Sequence, residues 1–539
     1  SYMARLCGTT EDVVQTGLTD VIFYDPKKEE WESGEEYLSG NVRQKLADAR
    51  EYAAIDPRFQ KNVEALQKVQ PEPIQATQIR VRLGATWIPV NIVNRFMHEI
   101  FRTPFYYRHQ IHAEYSSATA EWKIEGKGGH RDSVELSQMY GTKRMNAYKV
   151  LEETLNLKSI KVYDYVEQDG KKKAVYNHKE SMLLQEKQRM LEKAWEKWIW
   201  KEPERRKQIT DIYNERFNHT RLRTYDGSYL SFPGMNPEIQ LRRYQKDAVA
   251  RILHGGNTLL AHTVGAGKTY TMIAASQELK RIALAHKSLF VVHNHLVEQW
   301  RADYLRLYPA AKVFAVSKED FQKENRRRFM ARIATGNYDA IIIGHSQLEK
   351  IPLSRKRQRW EIQRQIDEIL EGLRGIKGSM RQSFTVKQLE KVKKGLEVRL
   401  AQLDHQEKRD EGITFEELGI DHLFVDESHL FKNLYLYTKM QNVAGIAQSQ
   451  AQKSSHLYAI CNYLNELTHE KGIVFASGTP ISNSMTELYT VQRYLQPSVL
   501  KAAGVQHFDA WAATFGETVS GVELSPEGNG YRMKTRFSR

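Results

Sequence analysis

The sequence predicts an α/β protein centred on a mostly parallel sheet, and three observations point there. An apolar run, Thr258-Leu259-Leu260-Ala261, leads into a glycine loop and then into helical spacing over Tyr270–Ala275. Further apolar runs at Ser288–Val292, Val313–Val316, Tyr338–Ile343, His422–Val425 and Gly472–Ala476 alternate with loops and amphipathic stretches. One of these runs delivers two adjacent acids, Asp426-Glu427. Short, wholly apolar runs suit strands covered on both faces, and strand–loop–helix alternation makes such strands parallel, with ligands at their carboxyl ends.

At 539 residues the chain is too long for one core, so several domains are expected. Its 41% hydrophobic content is ample for folded domains and excludes bulk disorder. No stretch approaches the roughly eighteen unbroken apolar residues of a membrane span, and no charged-then-apolar leader opens the chain. A soluble, non-secreted, cytoplasmic protein with no membrane partner is therefore expected. Cys7 and Cys461 have neither metal nor disulfide spacing, which fits a reducing compartment. A formal charge of +14 favours a polyanionic partner. The chain opens on Ser1 and stops at Arg539 without a terminating signal, so it reads as a piece of something longer.

Residues 1–110 read as a mixed, mainly helical accessory region, with helical spacing from Ser39, over Phe59–Leu66 and over Val90–Phe101. Residues 111–235 combine a small β element around Ala113–Tyr115 and Ala120–Ile124 with one long charged helix over Lys179–Phe217. Leu183, Leu184, Met190, Leu191, Trp195 and Trp198 form that helix's apolar side, read as a packing strut rather than a base-stacking platform. Thr224–Met235 is a boundary loop.

The sheet domain is expected over 236–349 and 413–500. In His262-Thr263-Val264-Gly265-Ala266-Gly267-Lys268-Thr269, glycines let backbone N–H groups close on phosphates, and a following helix N-terminus adds partial positive charge. Lys268 would reach the β/γ-phosphates and the Thr269 hydroxyl a magnesium ion, although the strict pattern has glycine where this chain has His262. Upstream, Gln245 could read adenine through its amide, one donor and one acceptor. Asp426 would hold the metal's water shell, and Glu427 would orient and deprotonate the attacking water. Nothing near His293-Asn294-His295 completes a metal site, so that stretch is a polar loop at a strand end. Between the sheet segments, 350–412 carries two apolar stripes, Ile362/Ile366/Ile369/Leu373 and Val386/Leu389/Val392/Leu396/Leu403, on either side of Gly375–Gly378. This is the pattern of an inserted antiparallel helical hairpin. Residues 501–539 are expected as a linker.

Taken in order, Leu241–Gln245, Gly265–Thr269, His293–Trp300, Asp426-Glu427-Ser428-His429 and Ser477-Gly478-Thr479-Pro480-Ile481-Ser482-Asn483 resemble the motifs of superfamily-two helicase-type ATPases, most nearly the Swi/Snf-like translocases. Glu36–Arg43, Arg82–Pro89 and Val264–Thr269 are similar to the large helicase–methylase fusions of bacterial mobile elements and phages. The resemblance implies a RecA-like first motor lobe that uses ATP and Mg and tracks duplex DNA without reading its sequence. It further implies that Ser477, Gly478 and Thr479 couple nucleotide state to DNA contacts at His293, Asn294, His295, His345 and Ser346. It implies a second RecA-like lobe, with its arginine-bearing motif, and an adenine methyltransferase module elsewhere in the polypeptide; this chain contains neither motif. A strand-separating helicase and a non-hydrolysing, nucleotide-gated DNA scaffold are the alternatives.

Overall fold

The computed structural model describes residues 2–19, 21–116, 120–130, 133–168, 171–317, 322–374, 384–405, 412–434, 436, 438, 443–444, 451–482, 484–524 and 531–538. Two compact units emerge: Ser1–Arg82 with Glu192–Tyr225, and Leu83–Leu191 with Asp226–Arg539. The contacts therefore divide the chain at 82, 191 and 225, not at the expected 110 and 235.

The larger unit is built on a six-stranded, wholly parallel sheet. Its strands are β1 Thr258–Leu260, β2 Ser288–Val292, β3 Val313–Ala315, β4 Ala340–Gly344, β5 His422–Val425 and β6 Ile473–Ala476. They lie in the order β3-β4-β2-β5-β6-β1. The four central strands are buried at every residue, as two-sided cover requires. Around them run α1 Arg243–His254, α2 Lys268–Arg281, α3 Val297–Leu307, α4 Lys323–Thr335, α5 Arg355–Arg374, α6 Phe384–His405, α7 Gln452–Thr468 and α8 Thr486–Leu495. Phe290 on β2 stacks on Phe424 of β5 at 4.7 Å, and α3 closes over them with Trp300 and Tyr304. At the amino end of the sheet the Asp421 carboxylate accepts from the His286 and Lys287 N–H groups at 2.7 and 3.1 Å, tying the start of β5 to that of β2. This is the α/β architecture the alternating runs predicted.

The stretch between β4 and β5 leaves and rejoins the sheet at one place: Ser354 Oγ donates to Glu416 at 2.7 Å and Phe415 N to Pro352 O at 2.8 Å. Arg359 at the start of α5 pairs with Asp404 at the end of α6, so the two helices run antiparallel. Ile362 and Ile366 are buried, whereas Leu389, Val392 and Leu396 are only partly covered. The base of α5 is pinned to α7, where Asn462 donates to Glu361 at 3.1 Å and Arg357 pairs with Glu466. A cavity of about 770 Å³ separates the rest of the arm from α7 and α8. The Gly375–Gly378 turn lies outside the described residues.

Residues 501–539 are not the linker expected. Phe508–Phe515 is a helix whose Phe508 and Trp511 join Leu436, Tyr489, Leu500 and Val505 in a core of their own. Two strands, Glu517–Leu524 and Tyr531–Ser538, follow as a hairpin, and Val443–Ala444 pairs parallel to the second. Two large aromatic side chains on one short helix face supply the burial that a linker lacks. In the same unit Ala113–Ser116 and Glu121–Ile124 form the small β element, with Asn156 clasping the Trp122 N–H and carbonyl at 2.9 and 2.7 Å.

The smaller unit packs Val42–Ile55 and Gln60–Lys68 around Phe23, Tyr37, Leu46 and Val63. Asn41 caps the first of these helices. Trp195 donates its indole N–H to Val81 O at 3.0 Å, and Arg205 lies over the Trp198 ring at 3.6 Å, a strut's contacts. The long charged helix is broken: His178–Ile199 and Pro203–Phe217 are separate, because Pro203 lacks the N–H that a continuing helix needs. Leu183 and Met190 are exposed; the buried face is Leu184, Gln188, Leu191, Trp195 and Trp198.

Candidate nucleotide site

The described residues singled out beyond a strand lie at the carboxyl end of the same sheet. After β1 the chain turns through Gly265 at φ +82° and Gly267 at φ +73°, left-handed conformations that favour glycine. Gly267 is doubly constrained, because a Cβ there would stand 2.6 Å from Gln245 Nε2. Lys268 then opens α2, whose first N–H groups face the loop. The Lys268 ammonium donates to the His262 and Thr263 carbonyls at 3.0 and 3.2 Å, so the loop is closed on its own cation. Ala266 is held by Tyr244, whose hydroxyl donates to its carbonyl at 2.8 Å.

Gln245 does something the sequence did not indicate. Its Oε1 accepts from Arg242 N at 2.9 Å, capping α1, and its Nε2 donates to Gly267 O at 3.1 Å. The side chain is buried, and its observed work is to brace the glycine loop rather than to present a free amide to adenine.

At the end of β5, Asp426 and Glu427 stand side by side. Burial, then the Glu427 charge, push the Asp426 carboxyl up to about 6, against the Glu427 N–H and the Lys268 charge. Glu427 itself is left-handed, φ 49° and ψ 46°, which ends the strand and turns its carboxylate away from the ladder. His429 Nδ1 lies 3.0 Å from Glu427 Oε2 and 3.1 Å from Ser477 Oγ. Ser477 is fully buried, and its hydroxyl also accepts from Thr479 N at 3.1 Å. A Cβ at Gly478 would meet Val264 Cγ2 at 3.0 Å, so the turn after β6 lies directly on the glycine loop. A further polar group closes this turn: Glu487 accepts from Ser482 N at 2.6 Å and pairs with Lys432 at 3.1 Å. Asn483 lies outside the described residues.

The residues expected at DNA also cluster, on the β2 and β4 ends. Asn294 Oδ1 accepts from Ser346 N and Oγ at 3.2 and 3.1 Å. His293 lies 5.2 Å from the His295 ring and 5.0 Å from that of His345. His295 and Ser346 are exposed, but His345 is partly buried and its Nε2 lies 2.9 Å from Asp426 O. Burial, outweighing that hydrogen bond, brings its pKa down to about 4, so the neutral ring donates to the carbonyl.

A family model described as a probable helicase domain matches residues 251–539. The chain belongs to this helicase family. A model for a probable helicase winged helix domain matches 1–32, and a domain of unknown function matches 82–219. Among curated proteins, the defense against restriction protein B of Escherichia phage P1 is 22% identical over 543 residues, 89% of this chain and 23% of that protein. The ATP-dependent helicase FUN30 of Saccharomyces cerevisiae is 30% identical over 112 residues, 20% of this chain and 10% of that one. The chain thus spans under a quarter of the length of these relatives. The SWI2/SNF2 ATPase core of Sulfolobus solfataricus, solved with double-stranded DNA, aligns at 15% identity and a TM-score of 0.29 over 51% of this chain and 40% of that one. The protein therefore carries a helicase-type ATPase domain, and among the described residues no helix is long and apolar enough to cross a membrane.

Proposed function

We propose that this chain is the first motor lobe, with its accessory region, of an ATP-dependent translocase on double-stranded DNA. The observation that carries this reading is the convergence of three turns at one sheet end: the glycine loop, the Asp426-Glu427 pair and the Ser477–Thr479 turn resting on Val264. Triphosphate binding would draw Lys268 off the His262 and Thr263 carbonyls onto the β/γ-phosphates, while the α2 N-terminus takes phosphate oxygens. The Thr269 hydroxyl and Asp426 carboxylate are the hard oxygen donors that suit a magnesium ion, and the raised Asp426 carboxyl is where a divalent cation would restore the charge. That ion would neutralise charge on the phosphates. Glu427, steadied by His429, orients the attacking water, and His429 carries its position to Ser477. Strand-end loops at His293–His295 and His345–Ser346 would face the DNA backbone.

The deciding experiment measures ATP hydrolysis by the full-length protein with and without duplex DNA. Hydrolysis stimulated by DNA and lost in Lys268→Ala is expected, with DNA affinity falling steeply with salt, at a log–log slope of about −0.9 per phosphate contacted. Residues 1–539 alone should bind ATP and turn it over slowly, because an arginine from an opposing domain contributes about 10³–10⁵ in rate in related phosphoryl transfers. Strand displacement by the full-length protein would make it a helicase in the strict sense. ATP binding without any hydrolysis would make it a nucleotide-gated scaffold.

A further inference from the structure

β2 lies between β4 and β5 in the sheet, so a residue at the end of β4 is two strand spacings, roughly 10 Å, from one at the end of β5. His345 crosses that distance. It follows β4 directly, passes the end of β2 against the His293 ring at 5.0 Å, and brings Nε2 to 2.9 Å from the Asp426 carbonyl. Phe431 meets the same ring edge-on at 5.3 Å. The Asp426 N–H is in the ladder, donating to Val291 O at 2.9 Å, but the left-handed turn at Glu427 ends the strand there. The imidazole N–H thus supplies the carbonyl's hydrogen bond where the regular ladder stops.

We propose that His345 is a positioning residue for hydrolysis: it holds the peptide between Asp426 and Glu427 and, packed against His293, transmits the state of the 293–296 loop to that peptide. The peptide plane sets where both carboxylates point, so a rotation of His345 displaces the group that orients water along with the metal-side acid. The 293–296 loop cannot move without His345. Asn294 is bonded to Ser346, and Gly344 has no room for a Cβ, which would stand 2.1 Å from Asn294 Oδ1. Strand-end loops distant in sequence thereby move as one body, and a phosphate backbone seated on the exposed His295 and Ser346 would act on it. This inference rests on the ATPase reading and adds a path by which DNA sets the rate.

The test uses the full-length protein and compares kcat and the KM for ATP, with and without saturating duplex DNA, in His345→Phe, His345→Gln, His345→Asn and His293→Leu. His345→Phe keeps a ring and removes the donor; kcat should fall about tenfold with KM changed less than about twofold, the loss of one buried hydrogen bond at the reacting geometry. The glutamine amide nitrogen reaches where imidazole Nε2 stands, and asparagine's falls short, so His345→Gln should recover most of kcat and His345→Asn should not. Having no ring to pack against His293, His345→Gln should also lose about threefold or more of its stimulation by DNA, as should His293→Leu. Wild-type kcat in His345→Phe, or equal kcat in the glutamine and asparagine variants, overturns the proposal; the latter pair decides it even if the phenylalanine variant fails to fold. A wild-type protein that neither binds nor hydrolyses ATP would overturn the ATPase reading instead.

Discussion

The carboxyl end of the sheet has two halves, and Asp426 belongs to both. On the β1–β6–β5 side lie two left-handed glycines, a lysine closed on loop carbonyls, and the acid pair. On the β5–β2–β4 side lie imidazole rings and an amide, the rings in a chain from His295 through His293 and His345 to the Asp426 carbonyl. The first half has the charges and open backbone that a polyphosphate needs. The second is built of short-range contacts between loops from separate strands. In the proposed function, the groups that would bind carry charge and permissive backbone, whereas those that would transmit are already in contact with one another.

The largest effect expected is on the binding half. In the full-length protein, Glu427→Gln should lower single-turnover hydrolysis by about 10²–10⁴ while ATP binding persists, because it removes the base and keeps the shape. A fall of less than tenfold would move water activation to another residue and erase the division between the halves. Gly267→Ala comes next. A methyl group 2.6 Å from Gln245 Nε2 in a left-handed backbone should cost about 1–3 kcal/mol in stability, together with ATP affinity. Gly265→Ala has equal strain and open space around it, so it should cost less. Thermal melts and nucleotide titrations that rank the two the other way would show that Gln245 does not brace the loop.

A third measurement contrasts this end of the sheet with the opposite one. The Asp421 carboxyl is held down at about 2: burial would raise it, but His422 and the N–H groups of His286 and Lys287 prevail. A carboxylate depressed in the fold contributes stability that is complete above its unfolded value near 4 and is lost as pH falls through about 2. Asp421→Asn should therefore lower stability by about 2 kcal/mol near neutral pH and remove acid sensitivity from that window, with ATP affinity unchanged. Reduced ATP affinity would mean that the two ends of the sheet are coupled. Asp426 has the opposite sign. Its raised carboxyl makes the nucleotide-free fold less stable as pH rises from about 4 through 6, a slope that bound magnesium nucleotide should flatten. The smallest effect is expected from Ser477→Ala, which removes the hydroxyl shared by His429 and the Thr479 N–H. DNA stimulation should drop about fivefold, the worth of one modest hydrogen bond, with basal hydrolysis reduced less. Equal loss of both rates would place Ser477 in the chemistry rather than in coupling.

These contrasts follow how each feature is written in the chain. The glycine loop, the acid pair and the strand runs were legible because each is a local pattern: permissive backbone beside Lys268, or an apolar run ending in charge. The break at Pro203 is legible too, since proline cannot continue a helix, although charge and periodicity run across it. The arm's two stripes were visible as helical spacing. That Leu389, Val392 and Leu396 stay half-covered beside a cavity was not, since that depends on how far α6 stands from α7 and α8. The fold of residues 501–539, expected as a linker, is not legible locally because its burial comes from Leu436 and Tyr489, supplied by other parts of the chain.

By itself, then, the sequence determined which segments are strands, that they run parallel, and which residues gather at their carboxyl ends, because periodicity, glycine and charge act within a few residues of one another. Only the tertiary structure decided what Gln245 braces, that His429 Nδ1 stands between Glu427 and Ser477, and that His345 reaches Asp426 across β2. Those contacts depend on the order in which strands lie side by side. Strand order follows from how helices and insertions pack over the whole sheet, and no short stretch of residues encodes it.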